Sequence, residues 1–370
     1  MTPRDRYLAA LRGEPVDRVP IFVRDAEFKS AEAVAACADA GRREIARRIW
    51  DRMAPAWIWP TFINRYLVTP PQFMHVVNRE QRDGGTITTK RIDTPKGPLT
   101  AVTGTDALSD TVWTVKYSVE TLDDVEKIRS VPWEPPTGLS PPDLAQRPPD
   151  FDRRWYARIG ASSPMVCVAG MMPYQTYLLW CATEINLIRD LTDLCLERIL
   201  AILDVVLSEG TVEVVWIGGS EWLTPPMASP RLYEELVQPH EAAMIERIHA
   251  AGALAHGHCH GRVRSTIQRV IDRGADYFEP VEPPPDGDIT MAEAKAVAAG
   301  RMTLGGNVEA RILATGTPDE VEAAARAAFD GGKDRMVLRT SAFLAGTPFT
   351  PNVVANFHRL IDVWEERSPV

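Results

Sequence analysis

The sequence predicts an α/β fold, a single (β/α)8 TIM barrel spanning residues 1–370, with an N-terminal extension and a β-hairpin insertion near residues 80–120. Three observations carry that expectation. The C-terminal two-thirds alternate short apolar runs with longer amphipathic stretches, the pattern of parallel βα units. Two further runs near the N-terminus bring the strands to eight, a usual number for a barrel of about 350 residues. Right-handed crossovers leave a closed barrel or an open doubly wound sheet, and no Gly-x-Gly-x-x-Gly loop follows any strand, which weighs against the open dinucleotide-binding form.

Residues 18–24 (Arg-Val-Pro-Ile-Phe-Val-Arg) read as the first strand and residues 56–63 as a weaker second. Further buried strands are expected at 165–170, 212–219, 253–260, 277–282, 302–307 and 336–341. Helical periodicity covers 176–207, 230–251, 263–272, 291–299, 318–329 and 353–366. Ser229-Pro230 reads as a helix start. So does Thr317-Pro318-Asp319-Glu320, which places proline in the first turn and acids where the helix dipole favours them. Residues 70–150 break the alternation and read as insertion and connector. Asp83-Gly84-Gly85 before alternating Thr and Ile residues marks a hairpin. The proline-dense stretch 132–149 is a surface connector.

The net charge of -9 argues against a general affinity for nucleic acid or an anionic membrane surface. The odd set Cys37, Cys167, Cys181, Cys195 and Cys259 has no paired spacing, as in a reduced cytoplasmic chain. The polar start lacks the apolar core of a signal peptide, and no apolar run is long enough to span a bilayer. A cytoplasmic location is therefore expected.

The strongest local signal is His256-Gly257-His258-Cys259-His260-Gly261. On a strand, period 2 puts the three histidines on one face and Cys259 on the other. They stand at the expected C-terminal strand end, which is the catalytic face of a barrel. His258 and His260 are the primary metal-ligand candidates. His256, deeper, is either a third ligand or a partner that orients the others. A lone strand histidine is ordinarily a packed residue; the alternation is what raises the metal reading above a substrate-carboxylate or phosphate grip. Glu221 and Glu282 are the candidate further ligand or general base. Asn307 closes another strand. Arg24 follows the first strand and either grips a substrate carboxylate or pairs with Asp25.

The opening Thr2-Pro3-Arg4-Asp5-Arg6-Tyr7-Leu8-Ala9-Ala10-Leu11 and Pro15-Val16-Asp17-Arg18-Val19-Pro20 resemble the start of the uroporphyrinogen decarboxylase superfamily. Residues 118–128 with Pro132-Trp133, Gly305-Gly306-Asn307-Val308-Glu309 and Gly316-Thr317-Pro318 resemble its branch of cobalamin-dependent methyltransferases. That resemblance implies a (β/α)8 barrel and zinc held by a His-x-Cys-Gly strand end plus a later Cys. Here the segment is His258-Cys259-His260-Gly261. Position 260 is His, and no Cys stands near Ala342, where the later one would fall. The resemblance therefore implies a harder site of imidazoles and carboxylate, suited to Lewis-acid work on oxygen substrates. The Arg-rich N-terminal segment of true uroporphyrinogen decarboxylases is reduced to Val23-Arg24-Asp25-Ala26, so porphyrin synthesis is not expected.

The leading functional expectation is a metal-dependent methyltransferase that demethylates a small methoxylated substrate and passes the methyl group to a corrinoid on a partner protein. The expected cofactor is a divalent transition metal, zinc first. Expected partners are the substrate, the corrinoid protein and a second copy of the chain in a homodimer. The competing expectations are a metal-dependent decarboxylase or other lyase acting on a small carboxylic acid, and a non-enzymatic binding protein on the same barrel.

Overall fold

The computed structural model describes residues 1–82, 84–106, 112–344 and 347–370. Twelve strands are present among them. Eight are parallel and form one curled sheet: β1 (Ile21–Phe22), β2 (Ala56–Ile58), β7 (Tyr156–Ser162), β8 (Val214–Gly218), β9 (Leu254–His258), β10 (Tyr277–Val281), β11 (Thr303–Val308) and β12 (Met336–Thr340). Their spatial order is β1-β12-β11-β10-β9-β8-β7-β2, a single circuit in chain order with helices between, as in a (β/α)8 barrel. Among the described residues no ladder joins β1 to β2. The Glu27 side chain bridges that seam, its Oε1 accepting from the Ala56 amide at 3.3 Å.

The N-terminal helix Pro3–Arg12 begins with Thr2 Oγ1 capping the Asp5 amide and ends at Gly13 in the left-handed region. It closes the bottom of the barrel. Tyr7 stacks on Tyr156 at 4.8 Å and meets Tyr277 edge-on at 6.3 Å, and Thr303 donates to the Ala10 carbonyl. The outward faces of the strands and the surrounding helices form the main apolar core, with Ile199, Leu203, Val215 and Phe278 fully buried.

One expected strand is a helix. Residues 165–169 lie in the helix Pro164–Ala169, which Gly170 caps, and the third barrel strand is Tyr156–Ser162 instead. A short apolar run fits a buried strand and a buried helix equally well, and Ser163-Pro164 is a helix start. The expected helices 176–207 and 230–251 are each broken in two: Tyr174–Thr183 with Ile185–Val206, and Pro230–Leu236 with Gln238–Ala250. Strand β9 ends at His258, so His260 stands on the following loop.

The insertion is larger than a hairpin. β3 (Met74–Arg82), β4 (Gly85–Ile92), β5 (Leu99–Asp106) and β6 (Val112–Lys116) form a four-stranded antiparallel sheet. The hairpin turn at 83–85 falls as expected between β3 and β4, although position 83 lies outside the described residues. No helix among the described residues is long and apolar enough to cross a membrane.

Candidate active site at the mouth of the barrel

Above the aromatic floor the barrel interior becomes charged. Glu279 on β10 is 1 % exposed, and three cationic or donor groups converge on it. His256 Nε2 and His258 Nδ1 lie 3.0 and 2.9 Å from Oε1. Arg339 Nη1 on β12 lies 2.8 Å from Oε2. A carboxylate only accepts, so each imidazole donates N–H to it, which fixes both tautomers. Burial alone would raise the Glu279 pKa. Arg339 and the two imidazoles overcome that and hold it well below the usual carboxylate range. Burial pushes His256 down to about 4, so its ring is neutral at ordinary pH.

Gly305 makes this convergence possible. A Cβ there would lie 2.3 Å from the Tyr277 hydroxyl, 2.7 Å from Glu279 Cβ and 2.9 Å from Arg339 Cδ. Gly218 plays the same part for Trp216, whose ring would meet a Cβ at 2.3 Å. The indole thus lies across the inner wall, 4.9 Å from the His258 ring.

One level higher, His260 Nδ1 lies 2.8 Å from Glu282 Oε1, and the same carboxylate accepts from the Gly261 amide. Burial opposes the charged form of His260. The Glu282 hydrogen bond and the nearby carboxylates outweigh it and raise its pKa. Glu279 and Glu282 are three apart, and strict alternation would turn them to opposite faces. The pairing of β10 with β11 shifts register between Phe278 and Val281. Val281 therefore faces outward beside Met291, while Glu279 and Glu282 both face the imidazoles.

The rim carries the remaining groups. Asn307 donates to Glu309, and burial together with the Glu282 charge pushes the Glu309 carboxyl up to about 7. Glu221 follows β8, and its buried Oε2 makes no hydrogen bond to a described residue. Arg24 follows β1, with its guanidinium 5.1 Å from the Phe343 ring. Arg158 projects from β7. Neither arginine forms an ion pair among the described residues, although both feel the Glu279 charge. Arg24 therefore does not pair with Asp25, whose carboxylate accepts from the Leu344 amide instead. Cys259 points away from the imidazoles, its Sγ 3.3 Å from Thr224 Oγ1.

The structure thus brings together His256, His258, His260, Glu282, Asn307 and Arg24, with Glu221 nearby, at the C-terminal end of the barrel. Sequence reasoning passed over Glu279 as the hub, and over Arg158, Arg339 and Glu309. A usable signal existed for two of them: Arg158 and Arg339 each interrupt an apolar strand, which calls for an interior counter-charge or ligand. Among the described residues no three His, Cys, Asp or Glu side chains form a ready set for one metal ion. His256 Nε2 and the Nδ1 atoms of His258 and His260 are engaged by carboxylates. The Nε2 atoms of His258 and His260 make no hydrogen bond to a described residue.

No curated protein sequence is significantly similar to the chain. A solved methyltransferase from Methanosarcina mazei has a similar structure, with a TM-score of 0.60 over 99% of both chains and 17% sequence identity, a likeness of fold. Residues 159–348, half of the chain, including the histidine run, Glu279, Glu282 and Arg339, match the family model of uroporphyrinogen decarboxylase (URO-D), and the chain belongs to that family.

Proposed function

We propose that this chain is a methyltransferase that removes a methyl group from a small, anionic, methoxylated molecule and delivers it to a corrinoid on a partner protein, with a divalent metal ion, zinc first, at His258 and His260. The observation that carries this reading is the pair of imidazoles two residues apart, each with Nδ1 bonded to a carboxylate and Nε2 left for a ligand. Carboxylate-held imidazoles are characteristic of metal sites, because the second bond fixes the tautomer and raises the basicity of the ligating nitrogen. The protein offers this ion two donors, and further donors would come from water or substrate. A divalent ion supplies Lewis acidity toward an ether oxygen.

The remaining roles belong to the chain's own side chains. Arg24 and Arg158 hold the substrate's carboxylate, for which the barrel offers no competing ion pair. The Trp216 indole gives the apolar part of the substrate a flat surface. Glu309, protonated near neutral pH, gives a proton to the departing oxygen, while Asn307 orients it.

A lyase reading also has a specific observation in its favour. A cationic carboxylate grip beside a protonated Glu309 suits decarboxylation, and that reaction needs no partner protein. One experiment separates the two. Metal content is measured for the wild type, His258→Ala and His260→Ala, and candidate methoxylated acids are assayed with and without a corrinoid protein. Methyl transfer that needs the corrinoid protein and is lost with the metal in both variants supports the proposal. Release of carbon dioxide by the isolated protein supports the lyase. Full metal content in both variants would overturn the metal assignment.

A further inference from the structure

A second cavity, of about 310 Å³, lies between the four-stranded sheet and the segments that follow β2 and β7. Its wall carries Arg65, Lys90 and Lys116, with the hydroxyl-bearing residues Thr103, Thr114 and Tyr117, and no carboxylate among the described residues. None of the three cations forms an ion pair among the described residues. In a chain of net charge -9, three cations without an ion pair among the described residues thus share one cavity wall.

The placement follows from the register. Lys90 is opposite Ala101, while Thr88 and Thr114 are both opposite Thr103, so one face of the sheet presents a lysine and several hydroxyls to the barrel. From the barrel side Arg65 reaches over Gly170, where a Cβ would come within 2.4 Å of its Cδ, and its guanidinium lies 5.5 Å from the Trp222 ring. Trp222 adjoins Glu221, so Arg65 stands between this cavity and the barrel mouth.

We propose that this cavity is a binding site for a phosphate-type oxyanion borne by a small molecule. Two lysines are flexible point charges, and with one arginine they suit a compact dianion better than a single planar carboxylate. The free hydroxyls supply further donors to its oxygens. The volume admits one such group and the first atoms of what carries it. The inference goes beyond the reaction proposed above and does not depend on it.

The test uses inorganic phosphate as the probe, titrated into the full-length protein by calorimetry, with malonate as a carboxylate comparison. Phosphate is expected to bind more tightly than malonate, and more weakly as salt is raised. Lys90→Gln and Lys116→Gln are each expected to weaken phosphate binding about tenfold. Lys96→Gln, a surface change at a pair with Glu126, is expected to leave it unchanged. The proposal is overturned if phosphate does not bind at about 10 mM, if malonate binds equally well, or if the Lys90→Gln/Lys116→Gln variant binds like the wild type. Loss of binding in Arg24→Gln would also overturn it, by placing the anion in the barrel mouth.

Discussion

Replacing Glu279 by Gln removes the one negative charge on which His256, His258 and Arg339 converge. The side chains of Glu279 and Arg339 are 1% and 3% exposed, so water cannot stand in for the lost partner. Removing one member of a buried ion pair costs about 3–5 kcal/mol, because the other charge is left uncompensated. Glutamine also turns an amide N–H toward either the guanidinium or the imidazoles, so a loss in the upper half of that range is expected. Arg339→Met in the same chain removes the stranded charge, and the double variant should recover about 2 kcal/mol or more relative to Glu279→Gln. Urea denaturation followed by tryptophan fluorescence measures all four proteins of the cycle. A Glu279→Gln variant within about 1 kcal/mol of wild type, or additive effects in the double variant, would refute the view that this carboxylate holds the barrel interior together.

Two further outcomes follow from the same interior. Gly305→Ala should destabilise by about 1–3 kcal/mol, since the new methyl would enter the space shared by Tyr277, Glu279 and Arg339, and thermal denaturation checks it. Glu309→Gln should stabilise the fold in a pH-dependent way. The native carboxyl titrates near 7, above its unfolded value, so the folded state binds more protons between about pH 4.5 and 7 and wild-type stability falls as pH rises through that window. The variant should gain roughly 1–2 kcal/mol at pH 8, after allowance for solvent screening, and nothing near pH 4. Melting temperatures across that range give the comparison, and a gain independent of pH would contradict the assignment.

The barrel was legible because its evidence is repeated: each βα unit restates the same alternation, and one misplaced strand, 165–170, left the count of eight intact. The histidine run was legible for a local reason, since period 2 needs no long-range knowledge. Its partners were not. Glu279 and Glu282 share a face only because the ladder slips at Pro280, and a slip of register leaves no mark in composition. Arg339 is three strands further along the chain than His256, and only the curling of the sheet brings them to one carboxylate. The size of the inserted sheet was likewise hidden: the turn Thr94-Pro95-Lys96-Gly97 between β4 and β5 is readable, but the half-polar β5 and the short β6 carry no continuous apolar run.

The seam between β1 and β2 has a consequence for how the protein takes its ligand. Arg24 travels with β1, two residues beyond Phe22, whereas Arg158 pairs with Ile58 and travels with β2 and β7. Among the described residues no ladder joins β1 and β2; the Glu27 side chain accepts from the Ala56 amide, and the Val23 amide lies 3.1 Å from Met53 Sδ. A carboxylate gripped by both guanidiniums would therefore act as a removable staple across the weakest join of the barrel. Occupancy and closure then share one free energy, so amides on both sides of the join should exchange more slowly with deuterated solvent when the ligand is present.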